Sequence, residues 1–149
     1  MKQQAFRIIA TVGLFMACAT AAINAQAQSA ERMIINIPFA FSASNQELPA
    51  GEYSVKRISQ NSSAFVIQSQ DGRSAVIVLA HDSLQDDQQQ ARAKLVFHNY
   101  HGRYFLSQVW MLGYDIGNQV LESRAERTLR RELARKSAQP QQVALIPRQ

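Results

Sequence analysis

The sequence is poor in cysteine, with one, Cys18, among its 149 residues. Cys18 lies in an N-terminal segment that we predict is removed, so the remaining chain has no thiol. Disulfide bonds, thiol catalysis and cysteine-based zinc or iron–sulfur sites are therefore excluded for the mature protein. Long hydrophobic runs are also missing beyond that segment, and we expect no transmembrane segment in the mature chain.

The first 27 residues have the three parts of a Sec-type signal peptide. Lys2 and Arg7 give a positive start, residues 8–19 are largely apolar, and Ala25–Ala27 has the Ala-x-Ala form of a cleavage site. We predict cleavage after Ala27 and a periplasmic or secreted protein.

Two alternatives exist for this segment. As a membrane anchor, its apolar stretch of about 16 residues falls short of the roughly 20 needed to span a bilayer. Lipidation at Cys18 would need a lipobox, which the preceding residues 15–17 match only at Ala17.

Residues 28–121 show the pattern of an antiparallel β-domain. Apolar residues alternate with polar ones from residue 33 to 43, where Pro38 predicts an edge strand or a kink. Turn signals recur at short spacing without an intervening helix. The pattern predicts a mainly β fold, an antiparallel sandwich or small barrel of six to eight strands.

Two details of this domain can be predicted. The continuously apolar residues 74–80 predict a strand covered on both faces, followed by a solvated loop from residue 82 to 91. If His101 and Gly102 form a turn, Phe97 lies opposite Leu106 and His98 opposite Phe105.

Residues 122–136 predict one charged C-terminal helix. Ser123 and Glu126 have the spacing of a reciprocal capping box. A narrow apolar stripe is formed by Leu121, Ala125, Leu129 and Leu133. We expect residues 137–149 to be a flexible tail, in which residues 143–146 are apolar enough to add a strand to a sheet edge.

The positive charge belongs mainly to this helix. Removal of Lys2 and Arg7 leaves 14 basic and 11 acidic residues, a net charge of +3. The β-domain is nearly neutral, so nucleic acid is not an expected partner. We expect an envelope polysaccharide, another anionic surface or an acidic protein, bound in a salt-dependent way. The basic residues surround the helix, and the candidates for partner contact are Arg124, Arg127, Arg130, Arg131 and Arg135.

Catalytic and metal-binding patterns are weak. His98 and His101 are three residues apart on a strand, which places them on opposite faces, unlike a helical metal-binding pair. We therefore expect no catalytic residues, no metal, no cofactor and no enzymatic activity. A small hydrolase that uses His81, His98 and nearby acids is the alternative.

Aromatic residues cluster around one hairpin. Tyr104, Trp110 and Tyr114 would suit stacking on sugar rings if their faces were exposed side by side, which makes a carbohydrate-binding module a second alternative. We expect them chiefly to fill the core or its rim.

Several segments, in this order, resemble a family of small exported bacterial proteins without an assigned function. They are residues 36–41 (NIPFAF), 48–55 (LPAGEYSV), 94–98 (KLVFH), 104–110 (YFLSQVW) and 123–127 (SRAER). The resemblance implies export and a β-domain followed by a helix, and it brings no catalytic residues. The sequence thus predicts an exported non-enzymatic β-module that acts by binding or structurally.

Overall fold

The computed structural model describes residues 32–59, 61–85, 93–114, 116–135 and 139–147, and for residues 82–85 the backbone alone. The predicted signal peptide, with Cys18, lies outside these residues. So do residues 86–91 of the predicted loop and part of the predicted tail.

The described residues form ten strands and one helix, and the predicted mainly β class with one C-terminal helix is confirmed. The count exceeds the predicted six to eight because Pro38 separates two strands and three short strands are added. In chain order the elements are β1 Arg32–Ile37, β2 Phe41–Ala43, β3 Gln46–Leu48, β4 Gly51–Arg57, β5 Ala64–Ser69, β6 Ala75–Gln85, β7 Lys94–Tyr100, β8 Arg103–Trp110, β9 Ile116–Val120, α1 Arg124–Ala134 and β10 Gln141–Leu145.

The strands form two sheets that share β6. Sheet A has the order β1-β4-β5-β6, and sheet B contains β6, β9, β8, β7 and β10 together with the β2–β3 hairpin. Residues 75–79 of β6 pair with β5, and residues 80–85 pair with β9. All pairs are antiparallel except β2 with β8. Within the described chain the strand order does not close, so the fold is not a barrel, and the parallel β2–β8 pair makes the arrangement mixed instead of purely antiparallel.

The core lies between the two sheets and follows the alternation seen in the sequence. In β1 every second residue is buried, and β5 alternates in the same way, whereas β4 and β7 each bury three consecutive residues. Phe41 joins the sheets because its ring meets Tyr53 of sheet A at 5.3 Å and Phe97 of sheet B at 5.4 Å, edge to face in both cases.

The β7–β8 hairpin has the predicted register. Phe97 pairs with Leu106 and His98 with Phe105, which confirms the expectation. His101 and Gly102 form the turn with φ values of +53° and +89°. Glycine adopts such angles without strain, and the Asn99 side chain accepts a hydrogen bond from the Gly102 amide.

One prediction for sheet A is wrong. The first half of β6 was expected to be covered on both faces, but Ile77 and Leu79 are more than half exposed. Val76 and Val78 face the core, and no described element covers the opposite face. A run of apolar residues cannot distinguish a strand buried on both faces from one that leaves an apolar face exposed.

The start of α1 is as predicted, but its orientation is not. Ser123 caps the helix and its Oγ accepts a hydrogen bond from the Glu126 amide. The Glu126 side chain does not return to Ser123. It is buried against sheet B, whereas Leu121 and Ala125 of the predicted apolar stripe are exposed. Leu129 and Leu133 are half-buried, so the packed face is centred on Glu126 and these two leucines.

The expected flexible tail contains a strand. Residues 141–145 form β10, which pairs antiparallel with β7 along its whole length. Leu145 packs against the core, and Val143 is half-buried. The apolar segment predicted to add a strand to a sheet edge thus lies within β10 or just after it, and β10 covers the free edge of β7.

Candidate functional site

A cluster of polar side chains lies on the outer face of sheet B, beneath α1. Phe97 points into the core, so its neighbour His98 points to the outer face, where the helix packs. His98 Nδ1 lies 2.8 Å from Glu126 Oε1. Tyr100, two residues along β7, directs its hydroxyl to the same oxygen at 3.4 Å.

The cluster continues across β8 to β9. Ser107 Oγ lies 3.1 Å from His98 Nε2, and Gln119 Nε2 donates to Ser107 Oγ at 3.1 Å and to the Ser107 carbonyl oxygen at 3.0 Å. With its proton on Nδ1, His98 donates a hydrogen bond to the Glu126 carboxylate, and its Nε2 accepts one from the Ser107 hydroxyl. His98, Ser107 and Glu126 then each have two hydrogen-bond partners in the cluster.

The helix shields this cluster from water. Glu126 and Ser107 are each 2% exposed, and Tyr100 is also buried. Burial, followed by the nearby charges of Glu126 and Glu122, raises the pKa of Tyr100 to about 12. At physiological pH Tyr100 therefore stays neutral and can donate a hydrogen bond to Glu126.

The order of atoms from Ser107 through His98 to Glu126 is that of a serine-hydrolase triad. The sequence pattern indicates His98 as a candidate, but it indicates Glu126 only as a capping residue and does not single out Ser107. Ser107 could have been found, because the predicted hairpin register places it diagonally across from His98. Glu126 could not, because its contact depends on how the helix is rotated against the sheet.

The other two histidines do not complete this cluster. His81 is exposed on β6, where it pairs with Gln119 of β9, and no hydrogen bond joins it to His98 within the described residues. His101 is exposed in the hairpin turn. The side chain of Asp82, the acid next to His81, lies outside the described part. No group of three or more possible metal ligands occurs among the side chains that are described.

The candidate arginines fall into two groups. Arg130 Nη2 bonds Glu122 Oε2 at 2.9 Å. The other four lie on the face opposite the buried Glu126 and are exposed, because their spacings of three, four and four residues keep them on one side of a helix. We call these four the arginine stripe: Arg124, Arg127, Arg131 and Arg135. The expectation that basic residues surround the helix is thus corrected.

The arginine stripe has no partner within the described chain. None of its four guanidinium groups forms an ion pair with a described carboxylate. Thr128, also exposed on this face, hydrogen-bonds to the Arg124 carbonyl oxygen. The stripe is therefore a row of positive charges available to a ligand.

The three candidate aromatic residues do not form an exposed strip. Trp110 is buried, with the Lys94 ammonium 4.4 Å from its ring centroid and Gly117 against the ring. The half-buried Tyr104 is stacked on Phe39 at 3.7 Å.

Tyr114, the third candidate, is also half-buried and packs against the core. The Arg57 guanidinium lies 5.0 Å from its ring centroid. Like Tyr104 and Trp110, it contributes to the core and its rim.

Comparison with known proteins gives no relative. No protein-family model matches the chain, and no curated protein or solved structure matches it significantly. Within the residues described, no helix is long and apolar enough to cross a membrane.

Proposed function

We propose that this protein is an exported, non-enzymatic β-module of the bacterial envelope or exterior that binds an anionic polysaccharide through the arginine stripe. The observation that carries the proposal is the alignment, on the solvent face of α1, of four arginines that form no ion pair with a described carboxylate. The sandwich and the Glu126 cluster hold the helix so that this face always points outward.

The geometry of the stripe favours an extended polyanion. Arg124 and Arg135 are eleven residues apart, a distance of about 16 Å along a helix. A chain with a negative group on each repeating unit can contact several guanidinium groups along this line. Arginine is suited to such contacts because its planar fork binds carboxylate and sulfate-type oxygens with two hydrogen bonds. A single small anion would engage one or two of the four.

Export is supported by the N-terminal sequence. Residues 1–27 combine a basic start, an apolar middle and the Ala25–Ala27 end, and the motif order resembles that of small exported bacterial proteins. Expression of the full chain in a bacterial host, followed by N-terminal sequencing of the exported product, tests this part. We expect the product to begin at Gln28. A product that begins at Met1, or no export, would contradict it.

The non-enzymatic part of the proposal is supported by burial. Ser107 would have to present its Oγ to a substrate, but it is 2% exposed and its oxygen already accepts the Gln119 amide. A nucleophile needs an open position where the reacting carbon can approach.

Polysaccharide binding can be tested with the chain from residue 28 to 149. Residues Glu31–Gln149 form one compact unit, so this chain retains the whole fold. The probes are an anionic polysaccharide, alginate or dextran sulfate, and neutral dextran, with affinities measured by isothermal titration calorimetry at several salt concentrations. The variant Arg127→Gln/Arg131→Gln removes half of the stripe. Its matched control, Arg32→Gln/Arg73→Gln, removes the same charge from exposed positions on sheet A and its β5–β6 turn.

The stripe variant should bind the polyanions about tenfold more weakly at low salt and lose part of the salt dependence, because fewer ions are released on binding. The control should stay within about twofold, and neutral dextran should not bind. Equal losses in the two variants would show that net charge, and not the stripe, determines binding.

The order Ser107–His98–Glu126 favours a serine hydrolase as a second candidate. A fluorophosphonate probe, which labels activated serines, distinguishes the two functions. Labelling that disappears in Ser107→Ala and His98→Ala would establish the hydrolase. The absence of labelling in a folded protein would support the structural role of the cluster.

A further inference from the structure

The outer face of sheet A carries a group of exposed aliphatic side chains. Five large residues on or next to this sheet are 44–57% exposed. We call this group the aliphatic face: Ile34, Ile58, Ile77, Leu79 and Leu121. Isolated exposed apolar residues are common on protein surfaces, but contiguous ones mark sites of interaction.

Strand register shows that four of these residues are neighbours, whereas Ile34 lies apart from them on β1, opposite Ser54. Leu79 pairs with Ala64, whose carbonyl oxygen accepts the Ile58 amide, and the Leu79 carbonyl oxygen accepts the Leu121 amide. One row across the sheet is therefore entirely apolar. In the next row Ile77 pairs with the half-buried Val66.

The charged residues within the rows of this face are basic. Val66 pairs with Lys56 and Lys56 with Arg32, so the row that begins with Ile77 ends in two exposed cations. The row beyond it contains Ile34, Ser54, Gln68 and Ala75 and has no charged residue. The acidic Glu52 lies one row further, opposite Asn36.

We propose that the aliphatic face binds the surface of an anionic lipid membrane. The aliphatic side chains would enter the boundary between headgroups and acyl chains, while Arg32 and Lys56 contact the lipid phosphates. Apolar burial and attraction to anionic lipid act together in such binding. The charge pattern favours this occupant, since the three rows of the face contain two cations, Arg32 and Lys56, and no acid.

A second copy of the chain is a poorer match. Five half-exposed side chains offer much less than the roughly 800 Å² per partner that stable protein interfaces bury. The face also lacks the aromatic residues that dominate binding energy between proteins. Among the described residues, its three rows contain no acidic side chain with which a symmetric copy could neutralise Arg32 and Lys56.

The arginine stripe lies on α1, which packs on the outer face of sheet B through Glu126 and His98, whereas the aliphatic face lies mainly on sheet A. Leu121 of the face is three positions before Arg124 of the stripe, so the two surfaces are adjacent at the start of the helix. Membrane binding by sheet A does not depend on the proposed polysaccharide binding.

The first experiment measures sedimentation of the chain 28–149 with vesicles of phosphatidylcholine alone or mixed with phosphatidylglycerol. The variant Ile77→Ser/Leu79→Ser removes two exposed side chains, and Arg127→Gln/Arg131→Gln serves as the control. We expect binding to the anionic vesicles with a fraction that resists salt, because inserted apolar groups are not screened. The serine variant should lose at least about tenfold in affinity, and the control should keep the salt-resistant fraction.

The second experiment uses the absence of cysteine after Cys18. A polarity-sensitive fluorophore is attached to Ile77→Cys, and to Glu47→Cys on β3 as an exposed control. Anionic vesicles should shift the emission of the probe at position 77 to shorter wavelength and leave that at position 47 unchanged.

Three results would overturn the proposal. They are an unshifted probe at position 77, binding lost in the arginine-stripe control but retained in the serine variant, or a concentration-dependent dimer that the serine variant abolishes. The second result would leave the arginine stripe as the membrane-binding element, and the third would assign the face to a second copy. If the protein does not bind the vesicles but still binds the polysaccharide, the membrane inference is refuted and the proposed function is not.

Discussion

His98 Nδ1 and Glu126 Oε1 lie 2.8 Å apart, although they belong to a strand and a helix separated by 28 positions in the chain. Both side chains are largely shielded from water. Their contact therefore compensates for the hydration that each loses on burial. It fixes the rotation of α1 about its axis and thereby determines which residues face the solvent. The exposure of the arginine stripe to solvent follows from this rotation.

Replacement of Glu126 by Gln should destabilise the protein. The amide retains the shape but loses the charge that accepts from His98 and Tyr100, and hydrogen bonds to charged groups contribute about 1.5–3 kcal/mol. We expect the free energy of unfolding to fall by about 2 kcal/mol, measured by urea denaturation. Glu122→Gln is the control, because its pair with Arg130 lies at the surface and should contribute less than about 1 kcal/mol. Equal effects would show that the buried cluster does not hold the helix.

Tyr100 should make the fold sensitive to alkaline pH. Its pKa in the folded protein is about 12, above the ordinary value of 10, chiefly because the ring is buried and then because Glu126 is near. As the pH rises above 10, the unfolded chain loses the phenol proton first, so the free energy of unfolding should fall between pH 10 and 12, by up to about 2 kcal/mol.

The measurement is denaturation by urea at a series of alkaline pH values, for the wild type and Tyr100→Phe. The phenylalanine variant should lose this part of the pH dependence. Parallel curves for the two proteins would show that Tyr100 does not contribute.

Gly117 should tolerate no side chain. A Cβ atom at this position would overlap the Trp110 ring. Trp110 is held by the Gln108 side chain, which accepts from its Nε1 at 2.9 Å, so the ring cannot move freely. We expect Gly117→Ala to lower the free energy of unfolding by about 1–3 kcal/mol. A lower midpoint of thermal unfolding would report this loss.

Gly72→Ala provides the comparison for Gly117, because an added Cβ there meets open space and only the positive φ opposes it. A smaller effect at position 117 than at position 72 would contradict the packing argument.

Truncation after residue 138 should remove β10 and expose the edge of β7. The truncation removes the half-buried side chains of Val143 and Leu145 and the five residues that pair with β7. It should lower the free energy of unfolding by about 2 kcal/mol. The exposed edge should also promote aggregation, which light scattering detects. Truncation after Pro147 leaves β10 in place and should change neither property.

The sequence by itself determined the local structure well. Alternating residues in β1, the turn at His101 and Gly102, and the cap at Ser123 all depend on neighbours close in the chain. Such patterns are visible because the period of a strand and the chemistry of a turn or cap are local properties. The parallel pairing of β2 with β8 was missed, because it joins segments more than sixty residues apart.

The candidate site depended on the tertiary structure. In the sequence, Leu121 and Ala125 continue an apolar stripe more plausibly than Glu126 does, since a carboxylate is rarely buried. Only the approach of His98 and Tyr100 from sheet B supplies partners that make its burial favourable. Similarly, the sequence shows that residues 74–80 are apolar, but whether a second layer covers them is decided by where the other elements pack. The sequence thus determined the strands, turns and charge of this protein, and the packing of helix against sheet decided which side chains meet and which face the solvent.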